Sequence, residues 1–282
     1  MKFDQVEYQR QAYDRHYPKM EAALRKQLAH PLLSSFYDRL AERILDMGLG
    51  DGTGKRSSSS PVRLFEAGCG EGLLGSAVQR TAARRGLDFA YTGADLSGAG
   101  LELARTVLAG DLLKGDACEL VADLPPGSQD LLWAKNLIHH LEDPATFLRS
   151  ALDAVGPQGR VVIIEPRMWC PMHWINLVFV RQERYQFLGY RRTLSAFDKA
   201  GATLLRAEAF GWLPYELALA TRLDAPRRLL ASGDPRFIEK ISRFDDRLTA
   251  TLPNLALYGV SLLAAEGSSD RQPASGLHGA SR

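Results

Sequence analysis

Leu32, Phe36, Leu40 and Ile44 recur every four residues, with Leu33 and Tyr37 beside them. That spacing predicts an amphipathic helix in a stretch, residues 1 to about 47, that carries no strand pattern. From residue 62 the rhythm changes. Short apolar runs at 62–67, 89–96, 112–116, 130–135 and 160–165 read as strands, and helical spacing separates several of them. Helices are expected over 72–85, 97–109 and 144–155; Ser97 is placed to cap the second, and Pro144 suits the first turn of the third. A helix at 194–200 precedes a sixth strand at 204–210. A seventh, at 255–265, follows a long helical stretch, so these last two are expected to pair antiparallel at one edge.

Strands separated by single helices imply an α/β fold: a Rossmann-like, doubly wound, seven-stranded sheet, mostly parallel with one antiparallel edge strand. N-terminal helices and a helical insertion complete it. The expected organisation is an N-terminal helical lid at 1–47, a flexible linker rich in Gly and Ser at 48–61, and the α/β domain at 62–266. Helical insertions fall at about 168–192 and 213–252, and 267–282 is expected to be a disordered tail.

Bulk properties exclude some partners. A formal net charge of +2 gives no electrostatic case for nucleic acid. Cys69, Cys118 and Cys170 lack metal-ligand spacing and read as reduced thiols of a cytoplasmic protein. The first five residues are too polar for a signal peptide, and no apolar run reaches the roughly 18 residues of a membrane span. Gly50 to Arg56 superficially suggests a phosphate loop, but Leu49 stands where its first glycine should be and Arg56 where Ser or Thr should follow Lys55.

The candidate chemistry lies at the carboxyl ends of the strands, where open α/β sheets bind ligands. Glu66-Ala67-Gly68-Cys69-Gly70-Glu71-Gly72 leaves the first strand and opens a helix. Glycines there permit a tight turn and close backbone approach to a ligand. A dinucleotide fingerprint needs a further glycine where Leu73 stands, which disfavours NAD and a dehydrogenase. Asp95 ends the second strand, 25 residues beyond Gly70, where an acidic residue can accept from both ribose hydroxyls. Its other available role is capping the next helix. Gly115-Asp116-Ala117 ends the third strand, and a carboxylate there can accept from an adenine amine. Asp130 to Lys135 runs into Asn136-Leu137-Ile138-His139-His140-Leu141.

With these motifs, residues 62 to about 168 resemble the class I S-adenosylmethionine-dependent methyltransferases, particularly the branch of quinone-biosynthesis and other small-molecule enzymes. The resemblance implies S-adenosylmethionine as cofactor. It implies Glu66, Gly68 and Gly70 at its methionyl part, Asp95 at ribose, Leu96 packed on adenine, Asp116 and Ala117 at the adenine edge, and Asn136 near the amino-acid end. Tyr8, Tyr13, Asp14, Arg15, His16 and Tyr17 resemble the tyrosine-bearing lids of such enzymes; a surface helix is the alternative.

Methyl transfer to oxygen or nitrogen usually needs a proton removed. His139 and His140 are the candidate bases, although either can instead pack against the sheet. Asn136, Glu165 and Arg167 are expected on the pocket rim, with Glu165 facing acceptor or solvent. His139, His140, Glu142 and Asp143 crowd together without an established metal-ligand spacing, so no metal is expected. Trp169, Met172, Trp174 and the following Arg181 and Arg184 describe an apolar helix with a basic edge. It can close the core, cover a hydrophobic acceptor or touch a membrane surface. The expected partner is a small acceptor, partly apolar or lipid-linked, with no nucleic acid. The alternative to an enzyme is a noncatalytic protein that binds the cofactor or its demethylated product.

Overall fold

The computed structural model of the chain describes residues 10, 11, 14, 30–50, 60–167, 170, 189–212 and 233–265. The predicted N-terminal helix is α1, Pro31–Leu49. Pro31 occupies its first turn, where a missing N–H costs nothing, and Gly50 ends it with a left-handed φ of 70°. Leu32, Phe36, Leu40 and Ile44 are all at most 2% exposed. Each such side chain contributes about 1.5–3 kcal/mol of burial. One face of α1 is therefore core, built onto the sheet, and the helix continues through the first two residues of the expected linker.

Seven strands form one sheet in the order β3-β2-β1-β4-β5-β7-β6. They are β1 Val62–Ala67, β2 Phe89–Asp95, β3 Asp111–Lys114, β4 Leu131–Lys135, β5 Arg160–Pro166, β6 Ala202–Phe210 and β7 Tyr258–Ala265. The first five pair in parallel. β7 runs antiparallel to both β5 and β6, so the expected antiparallel pair lies at one edge. The reversed strand is β7, and β6 flanks it as the outermost strand.

The intervening helices are α2 Leu73–Arg84, α3 Gly98–Ala104, α4 Ala117–Ala122, α5 Pro144–Val155, α6 Gly189–Ala200 and α7 Pro235–Thr251. Period-two alternation in the strands sorts the core into two faces. Leu64, Trp133, Val162 and Ile164 lie with α1 and α2; Phe65, Leu132, Val161 and Ile163 lie with α4, α5 and α6. Helix α5 matches its expected bounds because its signals are local. Asp143 accepts the N–H groups of Ala145 and Thr146 at 3.1 and 3.2 Å, Pro144 follows, and Gly156 closes the helix at φ 63°.

The chain reverses its direction of growth across the sheet between β1 and β4. Open α/β sheets bind ligands at such a switch point, outside the carboxyl ends of the parallel strands. Among the described residues no helix is long and apolar enough to cross a membrane. The insertion residues 171–188 and 213–232 lie outside the described residues, as do Trp169 and the tail.

Candidate functional site

The loop after β1 is shaped by three left-handed glycines, Gly68, Gly70 and Gly72, at φ 75°, 52° and 83°. At Gly72 an added Cβ would stand 3.2 Å from the Ala104 Cα on α3, so both conformation and space require glycine. The loop is stitched to β2. The N–H groups of Gly68 and Cys69 donate to the Ala94 carbonyl at 2.8 and 2.9 Å, and the Gly70 N–H donates to Asp95 Oδ2 at 2.8 Å. Asp95 Oδ1 accepts the Ser97 N–H at 2.8 Å. A carboxylate offers about four acceptor sites, more than these two amides use. Burial raises the Asp95 carboxyl above the ordinary range, against the Ser97 and Gly70 amides, which favour its charge.

Ser97 caps α3 by accepting the Gly100 N–H, so Asp95 is spared that task. The Ser97 hydroxyl donates to Asp14 Oδ1 at 2.6 Å, which draws one residue of the N-terminal stretch to this strand end. Tyr8, Tyr13, Arg15, His16 and Tyr17 lie outside the described residues. Asp116 accepts the Cys118 N–H at 2.7 Å and caps α4, whose first residue, Ala117, is buried.

Beyond β4 the backbone turns sharply. Asn136 has φ 55°, the only left-handed non-glycine among the described residues. Its side-chain Oδ1 is buried and has no hydrogen-bond partner. A strained residue with an orphaned acceptor is costly to folding, and such features gather at binding sites.

The next turn is held from β5. Glu165 Oε1 accepts the N–H groups of Leu137 and Ile138 at 3.0 and 2.8 Å, and Oε2 contacts His139 Nδ1. Glu165 is 5% exposed, so it does not face solvent. Strand alternation sends its side chain to the α5 face, beneath the turn. The His139 and His140 rings lie 4.1 Å apart. Burial, then the charge of His139, pushes His140 down to about 3. An imidazole that weakly basic is a poor proton acceptor near neutrality.

Residues 65–163 match the family model described as "Methyltransferase domain". A ubiquinone biosynthesis O-methyltransferase of Ralstonia nicotianae is 31% identical over 111 residues, which cover 37% of this chain and 44% of that protein. A non-reducing polyketide synthase of Emericella nidulans, ausA, is 26% identical over 213 residues, or 73% of this chain but 8% of the synthase. The chain thus spans less than half the length of these relatives. A SAM-dependent methyltransferase of Archaeoglobus fulgidus shares the fold, with a TM-score of 0.51 over 81% of this chain and 93% of that one at 17% identity.

Residues 65–163 carry a methyltransferase domain.

The described residues offer acceptors that suit the donor groups of S-adenosylmethionine. S-adenosylmethionine presents ribose hydroxyls, an adenine amine and a cationic amino group, all donors. Three acceptors lie at the carboxyl ends of neighbouring strands: Asp95 on β2, Asp116 after β3, and the orphaned Asn136 Oδ1 after β4. Leu96, half-buried, follows Asp95 directly.

Glu66 departs from its expected role. Alternation turns it onto the α1 and α2 face, where it is 2% exposed and accepts the Tyr91 hydroxyl at 2.6 Å. Burial raises its carboxyl to about 8, against the Tyr91 bond that favours charge. A Cβ at Gly75 on α2 would come within 2.5 Å of this carboxyl, so helix and strand close tightly over it. Arg167, expected on the rim, donates to Asn254 Oδ1 at 3.2 Å beside β7.

Two residues were not singled out from the sequence. Tyr91 is the partner of Glu66, with no signal beyond its alternation in β2. Lys135, at the end of β4, holds its ammonium 4.9 Å from the Tyr258 ring and 5.5 Å from that of Tyr37.

Proposed function

We propose that the chain transfers a methyl group from S-adenosylmethionine to the oxygen, nitrogen or carbon of a small, partly hydrophobic acceptor. The observation that carries this reading is the bond from Gly70 N–H to Asp95 Oδ2, which fixes the glycine loop and the acidic end of β2 as one unit. When bound, the cofactor supplies a methyl group already activated by its cationic sulfur. Gly68 and Gly70 leave room for it, Asp95 accepts its ribose hydroxyls, Leu96 packs on adenine, and Asp116 with Ala117 takes the adenine edge. Asn136 Oδ1 receives its amino group.

His139 is the base of choice for an acceptor hydroxyl or amine, taking the proton at Nε2. General-base assistance of this kind is worth about 10²- to 10⁴-fold. His140 is too weakly basic and serves by packing. The N-terminal stretch, tied down at Asp14, and the insertions after β5 and β6 are the parts assigned to enclosing the acceptor. An apolar acceptor agrees with the Trp- and Met-bearing insertion and with the ubiquinone and polyketide names of the relatives. The reading includes peripheral contact with a membrane surface and no nucleic-acid partner.

The test is transfer of tritiated methyl from the cofactor to a panel of phenols and catechols with and without alkyl tails, set beside polar amines. Faster transfer to the tailed phenols is expected. Equal rates for polar, water-soluble acceptors would sink the hydrophobic assignment.

A further inference from the structure

Helix α7, Pro235–Thr251, carries two ridges side by side. Arg236, Lys240, Arg243 and Arg247 recur at alternating spacings of four and three residues, and Phe237, Ile241, Phe244 and Leu248 repeat that pattern one residue on. At about 3.6 residues per turn, the first set forms a narrow basic ridge and the second an apolar ridge about 100° round the helix. All four basic residues are exposed. The side that meets the body of the protein is a third one, where Ser242 and Asp245 are buried against Ser35 and Arg39 of α1. The apolar ridge is only partly used there: Phe237 and Ile241 pack on the core from half-buried positions, while Phe244 is 51% exposed. Among the described residues three large apolar side chains are exposed, and two of them, Phe244 and Leu252, lie on α7 and at its C-terminal cap.

The charges sharpen the pattern. Glu239 pairs with Arg243 and Asp246 with Arg39, and both acids lie on the flank away from the apolar ridge. Arg236, Lys240 and Arg247 make no ion pair among the described residues. A cationic ridge beside an apolar one matches the boundary of a bilayer with anionic headgroups. The charged heads sit among the phosphates, their alkyl stems follow, and the apolar side chains enter the acyl region. Duplex nucleic acid would engage the basic ridge alone and leave Phe244 in water. The chain leaving α7 enters the sheet at Tyr258, paired with Pro166 at the carboxyl end of β5, the end at which Asp95, Asp116 and Asn136 stand.

We propose that α7 is the membrane-docking surface of the protein, with its basic ridge among anionic phospholipid headgroups and Phe244 inserted between them. This rests on the reading of peripheral membrane contact and names the element that makes it. The experiment is co-sedimentation of the full chain with mixed phosphatidylglycerol–phosphatidylcholine vesicles and with phosphatidylcholine vesicles alone. Calorimetric binding of S-adenosylhomocysteine checks that each variant is folded. The wild type is expected to bind the anionic vesicles, more weakly as salt rises, and to leave the neutral ones. Lys240→Gln and Arg247→Gln are each expected to weaken vesicle binding about fivefold, and Phe244→Ser about tenfold. S-adenosylhomocysteine affinity should change less than about twofold in each. Absence of wild-type binding overturns the proposal together with membrane contact, and leaves methyl transfer to its own assay. Unweakened binding in the three folded variants overturns α7 alone and moves the contact to another segment. Loss in the charge variants but not in Phe244→Ser overturns it as well, because a purely electrostatic ridge would hold any polyanion.

Discussion

The carboxyl ends of β1 and β5 each bury a glutamate, on opposite faces of the sheet, and the two are used differently. Glu66 lies among apolar side chains beneath α2, with the Tyr91 hydroxyl as its hydrogen-bonded neighbour, and burial lifts its carboxyl to about 8. Glu165 lies beneath a turn and meets two backbone N–H groups and an imidazole. The two are almost equally buried, at 2% and 5% exposure. The number and kind of donors, more than burial, separates Glu66, bonded to one hydroxyl, from Glu165, which holds a turn.

Glu165→Ala breaks the comparison most severely. It strips the partner from the Leu137 and Ile138 N–H groups and from His139 Nδ1, one of these bonds buried and two part-buried, and a loss of about 3–5 kcal/mol is expected in urea unfolding. A loss below about 1 kcal/mol would mean that the turn holds itself.

Glu66 gives the next largest effect, through pH. Its folded value is raised from 4.5 to about 8, so the folded chain binds the proton more tightly than the unfolded chain between those values. Stability from this group is therefore present at low pH and falls as pH rises through that window. A decline on the order of 3 kcal/mol is expected between pH 5 and pH 8, and Glu66→Gln should flatten it. Parallel pH curves for the wild type and the variant would show that the Glu66 carboxyl is not perturbed in this way.

Asn136→Gly gives the smallest change in stability and the sharpest separation. Glycine relieves the left-handed φ but loosens the unfolded chain, so stability should stay within about 1 kcal/mol of the wild type. Losing Oδ1 as an acceptor for a charged donor should still weaken cofactor binding about tenfold or more, read by calorimetry. Unaltered affinity would detach Asn136 from the cofactor.

Much of the cofactor half was legible because its signals are local. A strand, a glycine loop and a helix follow one another within about 25 residues, and Asp95 and Asp116 recur at the ends of the next two strands. Period two also predicts strand faces, yet the side on which Glu66 and Glu165 fall depends on which helices cover each face. Glu165 meets His139 across 26 residues of chain, through a β4–β5 register that composition does not encode. The six-residue helix α4 was missed because it is too short for a periodic signal. The placement of β7 between β5 and β6 follows from strand pairing, since the apolar runs of both strands look alike.

The most direct measurement of the central claim is calorimetric titration of the full chain with S-adenosylmethionine, S-adenosylhomocysteine and NAD, beside Asp95→Ala. The account predicts micromolar binding of the first two, a loss of about 1.5–3 kcal/mol in the variant, and no binding of NAD. Binding of NAD with neither methionine derivative bound would contradict the assignment of the glycine loop and Asp95.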